Sequence, residues 1–421
     1  MQRLYSFLLY CLSPYLLVRL WWKGRKLPAY RQRIAERFGY GSQTKAIYDV
    51  WLHAVSLGEV IAAIPLIEGL LQTNKQLLIT TMTPTGAEKV KAHFKDRVIH
   101  RYLPYDLPSA MRRFFKFNKP KLGIIMETEL WPNLITSADE VSIPLLLLNA
   151  RLSQRSYKGY RKVKWLFKPI LNKFSCIFAQ SIEDAFYFKQ LGAKENKVKV
   201  GGNIKFDLAI PPSNAQLLKF DDYLGQKTVR VIVASTHEGE EQLILTRLNK
   251  LKAHIPNLLL LIAPRHPERF QKVYQLSSKM GFKTGLRSQI NQEISNKDVI
   301  ILDSIGELLT FFKLSHYAFI GGSLIPIGGH NILEPIAMQT PVISGKYVHN
   351  FKAICKSLES AHAMILVDNA DELIDKIIEL YENQDKRQAL IDNATQILNE
   401  NKGTVTHYLQ QIDKLLKPVS N

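Results

Sequence analysis

The sequence predicts an α/β protein of two Rossmann-like domains, each built on a parallel sheet facing a cleft, with a short amino-terminal membrane anchor in front of them. Three observations carry that expectation. From about residue 48 onward, short apolar runs alternate with longer amphipathic stretches, the pattern of parallel strands joined by crossover helices. A turn-rich passage without helical or strand period divides this alternation into two similar halves. An apolar run followed by tryptophans and basic residues opens the chain. With 421 residues and 46% hydrophobic content, the chain is too long for one ordinary core and too apolar for disorder.

The first element is LYSFLLYCLSPYLLV, 15 residues between Arg3 and Arg19 that contain Pro14. It falls short of the ~20 residues that a spanning helix needs, and so reads as an anchor lying in the membrane or as a marginal span. Trp21 and Trp22 follow, then Lys23, Arg25, Lys26, Arg31 and Arg33, aromatic-belt chemistry backed by cations that face anionic headgroups. By the same rule the rest of the chain stays on the cytoplasmic side. No small-x-small site follows the run, which argues against a cleaved signal peptide. A buried first helix of the globular body is the rival structural reading.

In the first half the expected strands are VWLHAV at 50–55, LLITT at 77–81, LGIIM at 122–126, PLLLLN at 144–149 and CIFAQ at 176–180. A helical pattern runs from Gly58 to about Leu71. In the second half they are VRVIVAS at 229–235, LLLLIAP at 258–264, DVIIL at 298–302, YAFIGG at 317–322 and TPVISG at 340–345. Pro211, Pro212, Ser213, Asn214, Asp221 and Asp222 mark the passage between, where the two aspartates read as a solvated turn. The expected divisions are therefore 1–40 for the anchor and its basic flank, 41–205 for the first domain, 206–228 for a linker and 229–421 for the second domain.

The net charge of +19 is unevenly spread. Residues 1–40 hold 8 Lys and Arg against 1 Asp and Glu, residues 41–205 hold 25 against 13, and residues 206–421 hold 23 against 23. A basic first half points to a phosphorylated or anionic lipid, since no zinc-finger spacing, aromatic RNA-binding signature or basic zipper accompanies the charge. The three cysteines, Cys11, Cys176 and Cys355, have neither metal-site nor disulfide-framework spacing and fit a reducing cytosol.

Open parallel sheets bind ligands beyond the carboxyl ends of their strands, so the chemistry should follow the apolar runs directly. GGSLIPIGGHNILEP, residues 321–335, follows the strand YAFI and leads into a helix expected to start near His330 or Asn331. Gly328 and Gly329 permit close approach of a ligand, free amides at the helix start favour an anion, and Glu334 could accept two ribose hydroxyls. A plain glycine turn with a helix-end acid is the bland alternative. APRHPERF at 263–270 offers Arg265 for a phosphate or carboxylate, and GELLTFF at 306–312 offers Gly306, Glu307 and Leu308 as a small pocket for a base.

In the first half HAVSLGEV puts Glu59 where a strand turns into a helix, the place for a general base that takes a proton from a hydroxyl nucleophile. An ordinary first-turn acid would occupy the same position. METELWPN at 126–133 supplies Glu127 and Glu129, which share one side if the segment is extended, and GGNIKFD at 201–207 supplies Lys205.

HAVSLGEV, ETELWPN, NARLS at 149–153, GNIKFD, ASTHEGEE at 234–241, APRHPERF, GEL and the GGSL…GGHNILEP block stand in the order found in the 3-deoxy-D-manno-octulosonic acid (Kdo) transferases, and the chain resembles that family over nearly its whole length. The resemblance implies a GT-B fold and inverting transfer of Kdo from CMP-Kdo to the tetraacyl disaccharide precursor of lipid A, at the cytoplasmic face of a bacterial inner membrane. It implies Glu59 as general base and Glu129 and Lys205 as transition-state stabilisers. It also implies that CMP is held by Pro264 and Arg265, by Gly306, Glu307 and Leu308, and by Asn331, Ile332, Leu333 and Glu334. The loop at 346–350, with Tyr347, Val348, His349 and Asn350, receives no role. The expected partners are CMP-Kdo, the lipid A precursor and anionic membrane lipid, with no nucleic acid. No metal or other cofactor is expected, because a single phosphate leaves with CMP and Arg265 with the helix start could neutralise it. A sugar-nucleotide epimerase of like architecture would need no anchor, and a non-enzymatic lipid-binding protein would not release CMP.

Overall fold

The computed structural model describes residues 2–41, 46–207, 217, 220–221, 224, 228–289 and 296–417. The chain forms two compact units, Met1–Asp207 with Asn401–Asn421, and Leu208–Glu400.

The first unit holds β1 (Ala46–His53), β2 (Leu77–Thr81), β3 (Ile99–Tyr102), β4 (Asn118–Met126), β5 (Leu145–Ala150), β6 (Cys176–Ala179) and β7 (Val198–Val200). They form one parallel sheet in the order β3-β2-β1-β4-β5-β6-β7. Its central strands are apolar on both faces because helices cover both. Trp51 lies in one core with Phe114 and Phe115, while Val50 and Leu52 point into the other with Leu66 and Ile67.

The second unit holds β8 (Val229–Thr236), β9 (Leu258–Pro264), β10 (Thr284–Leu286), β11 (Val299–Ile301), β12 (Tyr317–Ile320), β13 (Val342–Gly345) and β14 (Ile365–Val367). Their parallel order is β10-β11-β9-β8-β12-β13-β14. In each sheet the chain starts in the middle, fills one side and then crosses to the other; in the second sheet β11 inserts between β9 and the edge strand β10. The reversal falls between β1 and β4 in the first sheet and between β8 and β12 in the second, and at such a point the loops diverge and leave a crevice.

All ten expected strands are present, and among the described residues the structure adds four: β3, β7, β10 and β14. These four are the edges of the two sheets. Each has three or four residues and is partly exposed, so none carries the continuous apolar run of an interior strand.

The amino-terminal helix α1 (Gln2–Lys26) is longer than the apolar run that marks it, because Arg3 and the tryptophan-basic flank are helical too. Its 25 residues span about 37 Å, and it is apolar enough to cross a membrane. The buried-helix reading fails: Phe7, Leu8, Leu12, Tyr15, Val18, Trp21 and Trp22 are exposed.

Two further expectations are corrected. The helix Thr404–Leu416, read as part of the second domain, packs on the first sheet, with Tyr408 and Ile412 in its core. The passage 206–228 falls largely outside the described residues, Asp222 among them. Its described residues 217, 220, 221 and 224 are helical, and Asp221 is paired with the buried Arg230 at 2.6 Å rather than solvated in a turn.

Candidate active site

In the first unit the crevice between β1 and β4 collects the expected acids. Helix α2 (Leu57–Gln72) begins four residues after β1, with Ser56 at its N-cap and Glu59 in its first turn. The Glu59 carboxylate accepts from the Val55 amide at 2.8 Å and from the Ser56 hydroxyl at 3.0 Å, a variant of the capping box. These bonds fix its position and favour its charge. Burial works against them and wins, and Glu127 and Glu129 add like-charge repulsion, so Glu59 is pushed up to about 7.

Glu127 and Glu129 reach Glu59 by a turn, not by extended alternation. Glu127 directly follows β4 with φ of 56°, left-handed backbone that is uncommon for a glutamate, and its amide bonds the Leu148 carbonyl at 3.0 Å. Glu129 accepts from the Trp131 indole, and burial raises its pKa as well. It lines a cavity of about 510 Å³ together with Trp131, Tyr160 and Phe167, and with Leu9 and Arg19 of α1.

Lys205 follows the edge strand β7, yet the chain folds back across the sheet to carry it. The Ile204 amide bonds Asn149 Oδ1 at 3.1 Å, and Ile204 packs in the same core as Val60 and Ala63 of α2. Asn149, fully buried with φ of 54°, belongs to NARLS, which explains why that motif and GNIKFD occur together. The Tyr408 hydroxyl lies 3.1 Å from the Asn149 amide and 3.2 Å from the Gly202 carbonyl, and Asp207 accepts from the Gly403 amide at 2.7 Å and from the Val405 amide. The carboxyl-terminal helix thus braces the Lys205 segment, a role for which the sequence holds no local signal.

In the second unit Pro264, Arg265, Gly306, Glu307 and Leu308 line one cavity of about 270 Å³, floored by Phe311. The Arg265 guanidinium is exposed, and its amide bonds the Thr236 carbonyl at 3.0 Å. Glu307 is committed to Arg287 at 2.6 Å and to the Ser304 hydroxyl, which leaves backbone and shape as what GEL can offer. Glu334 accepts from Asn331 Nδ2 at 3.0 Å, and burial raises its pKa while Asn331 and Arg265 oppose the shift. Ile332 and Leu333 are buried in the core and can present only main chain. The residues from Asn331 to Glu334 do not line the cavity that holds Pro264 and Leu308; Arg265 is the link between the two groups.

The glycine-rich block differs from expectation in two respects. Its helix is Leu333–Ala337, only five residues and starting later than His330 or Asn331, so its dipole is small. Several amides of the loop before that helix are also taken. Glu240, fully buried, accepts from the amides of His237, Gly322, Ser323 and Leu324 at 2.7–3.1 Å. The amides of Gly328 and Gly329 bond the Gly322 carbonyl at 3.0 and 2.8 Å. Gly321 is glycine because a Cβ there would stand 2.8 Å from the Ser235 carbonyl and the Thr236 Cα. The 346–350 loop packs on this block, where a Cβ on Gly328 would meet His349 at 2.4 Å. Sequence reasoning missed Glu240, since glutamate is rarely buried; its place in ASTHEGEE directly after a strand was the available signal. The neighbouring Glu241 is buried against Arg269, with N–O distances of 2.7 and 2.9 Å. His237 and His330 stack edge to edge with 2.8 Å between their Nε2 atoms.

Comparison with known proteins agrees with this arrangement. Residues 32–208 match the family described as 3-Deoxy-D-manno-octulosonic-acid transferase (kdotransferase), and residues 231–397 match glycosyl transferases group 1. The 3-deoxy-D-manno-octulosonic acid transferase of Haemophilus influenzae is 42% identical over 98% of this chain and 97% of its own length. That of Bordetella pertussis is 33% identical over 93% and 94%. A glycosyltransferase structure from Rickettsia africae shares the fold, with a TM-score of 0.56 over 89% of this chain and all of its own, at 15% identity. The chain therefore belongs to the Kdo transferases, glycosyltransferases of GT-B fold.

Proposed function

We propose that the protein transfers Kdo from CMP-Kdo to the tetraacyl disaccharide precursor of lipid A, with inversion, at the cytoplasmic face of the bacterial inner membrane. The observation that carries this reading is Glu59, held by an amide and a hydroxyl and raised to about 7 by burial and two neighbouring acids. A carboxylate so poised takes a proton near neutral pH without being locked in an ion pair. Glu59 removes the proton of an acceptor hydroxyl, whose oxygen forms the new bond to the anomeric carbon of Kdo. The bond from that carbon to the phosphate oxygen breaks, and CMP leaves with the electron pair. Glu129 and Lys205 stabilise the charge that develops on the way.

On the donor side, the cavity bordered by Pro264, Gly306 and Leu308 suits a pyrimidine, Arg265 meets the phosphate, and Glu334 accepts the ribose hydroxyls. With the amides of Gly322, Ser323 and Leu324 taken by Glu240, Arg265 carries the charge neutralisation, and one phosphate requires no metal. Helix α1 and the basic residues from Lys23 to Arg33 support attachment to an anionic membrane surface.

Purified protein incubated with CMP-Kdo and the tetraacyl disaccharide should yield CMP and a Kdo-bearing lipid, and mass spectrometry reads both the acceptor and the number of Kdo units added. CMP release without a Kdo-lipid product would refute the acceptor assignment.

A further inference from the structure

Helix α1 does more than lie against the body, because its first two turns make polar contacts that converge on one loop. Gln2 Nε2 is 3.2 Å from the Pro132 carbonyl, 3.1 Å from Asn133 Oδ1 and 3.0 Å from Thr136 Oγ1. The Ser6 hydroxyl is 3.0 Å from Asn133 Oδ1. The Tyr5 hydroxyl donates to Asp106 Oδ2 at 2.9 Å.

Asp106 is the junction. Its carboxylate also accepts from the amides of Asn133 at 3.0 Å and Leu134 at 2.7 Å, and so caps the helix Pro132–Glu140, while its carbonyl accepts from Asn133 Nδ2 at 2.6 Å. Burial raises Asp106 to about 7 against the three bonds that favour its charge, so each bond counts toward keeping it ionised. Immediately before the capped helix stand Trp131 and Glu129, joined through the indole. Farther along α1, Leu9, Leu16 and Arg19 wall the cavity that Glu129 lines. A helix needed only as an anchor would not carry Gln2, Tyr5 and Ser6 toward the body, where desolvated polar groups cost free energy unless each finds a partner.

We infer that α1 belongs to the catalytic unit: Tyr5 and Asp106 are positioning residues that fix the Pro132 turn and, through it, Glu129, so the pocket is complete only when α1 is docked. The inference rests on the role proposed for Glu129.

The test uses the full chain in detergent micelles. In one variant residues 2–22 are exchanged for an unrelated apolar helix of equal length, and in a second Tyr5→Phe removes only the hydroxyl. Both should bind phosphatidylethanolamine–phosphatidylglycerol vesicles as the wild type does. The exchange should lower kcat by about tenfold or more with donor KM unchanged, and Tyr5→Phe by about threefold or more, as misplacement of a catalytic group does. Amide hydrogen exchange over residues 129–136 should accelerate in Tyr5→Phe whether or not transfer is measured, which keeps the test alive if the exchanged chain misfolds. Wild-type turnover in both variants, or unchanged exchange over 129–136, overturns the inference. A wild-type chain that forms no product refutes the functional reading instead, and the exchange data still decide the docking.

Discussion

The two sheets use the same topological crevice in opposite ways. Between β1 and β4, Glu59 has two hydrogen-bond donors, two acidic neighbours and a raised pKa. Between β8 and β12, Glu240 has four amide donors and plugs the crevice, so the open cavity of that unit lies one strand over, beyond β9 and β11. A buried carboxylate whose lone pairs are filled by backbone holds loops together, whereas one that is underfilled and crowded by like charge is ready to take a proton. Fold position alone would have assigned both the same task.

The largest stability effect should come from Glu240. Glu240→Ala strands four amides, three of them in GGSL, and should destabilise the second unit by at least about 3 kcal/mol, since each unsatisfied buried donor costs about 1–3 kcal/mol. Urea unfolding reads this directly, and a cost below about 1 kcal/mol would erase the contrast with Glu59.

Next in size is Glu334→Ala. Loss of the carboxyl group proposed to accept the ribose hydroxyls should raise the donor KM by about tenfold while the acceptor KM stays near its wild-type value. Equal rises in both would detach Glu334 from the donor.

A smaller effect is expected at Tyr408, whose hydroxyl ties Asn149 to Gly202. Tyr408→Phe should cost about 1 kcal/mol of stability in the first unit, a normal value for one buried hydrogen-bonding group. Loss confined to the second unit would contradict the placement of the carboxyl-terminal helix.

Much of this was legible in the sequence, and the gaps have physical causes. Interior strands announce themselves because a parallel strand covered on both faces must be apolar throughout, as LLLLIAP is; VKV and TGL at the sheet edges carry no such demand. Glu59 and Arg265 could be singled out because strand ends are where open sheets bind ligands. The seat of the carboxyl-terminal helix could not, because Tyr408 meets Asn149 across 259 residues of chain with no local pattern to mark it. The amides of Gly322, Ser323 and Leu324 look free in one dimension, and only the fold brings Glu240 to them.

The central claim is that Glu59 is the base, and one paired measurement addresses it: transfer rate and thermal unfolding on the same Glu59→Gln protein across pH 5–9. A base must be ionised to act, so wild-type kcat should fall as pH drops below about 7. The folded state holds the Glu59 proton more tightly than the unfolded chain, whose pKa is near 4.5, so ionisation costs stability as pH rises from there to about 7. Glutamine cannot ionise. The variant should therefore lose about 10²–10⁴-fold in turnover with little change in either KM, yet gain stability relative to wild type on going from pH 5 to pH 8. Near-normal turnover in Glu59→Gln, with stability lost instead, would leave Glu59 as a helix-end acid and contradict the account.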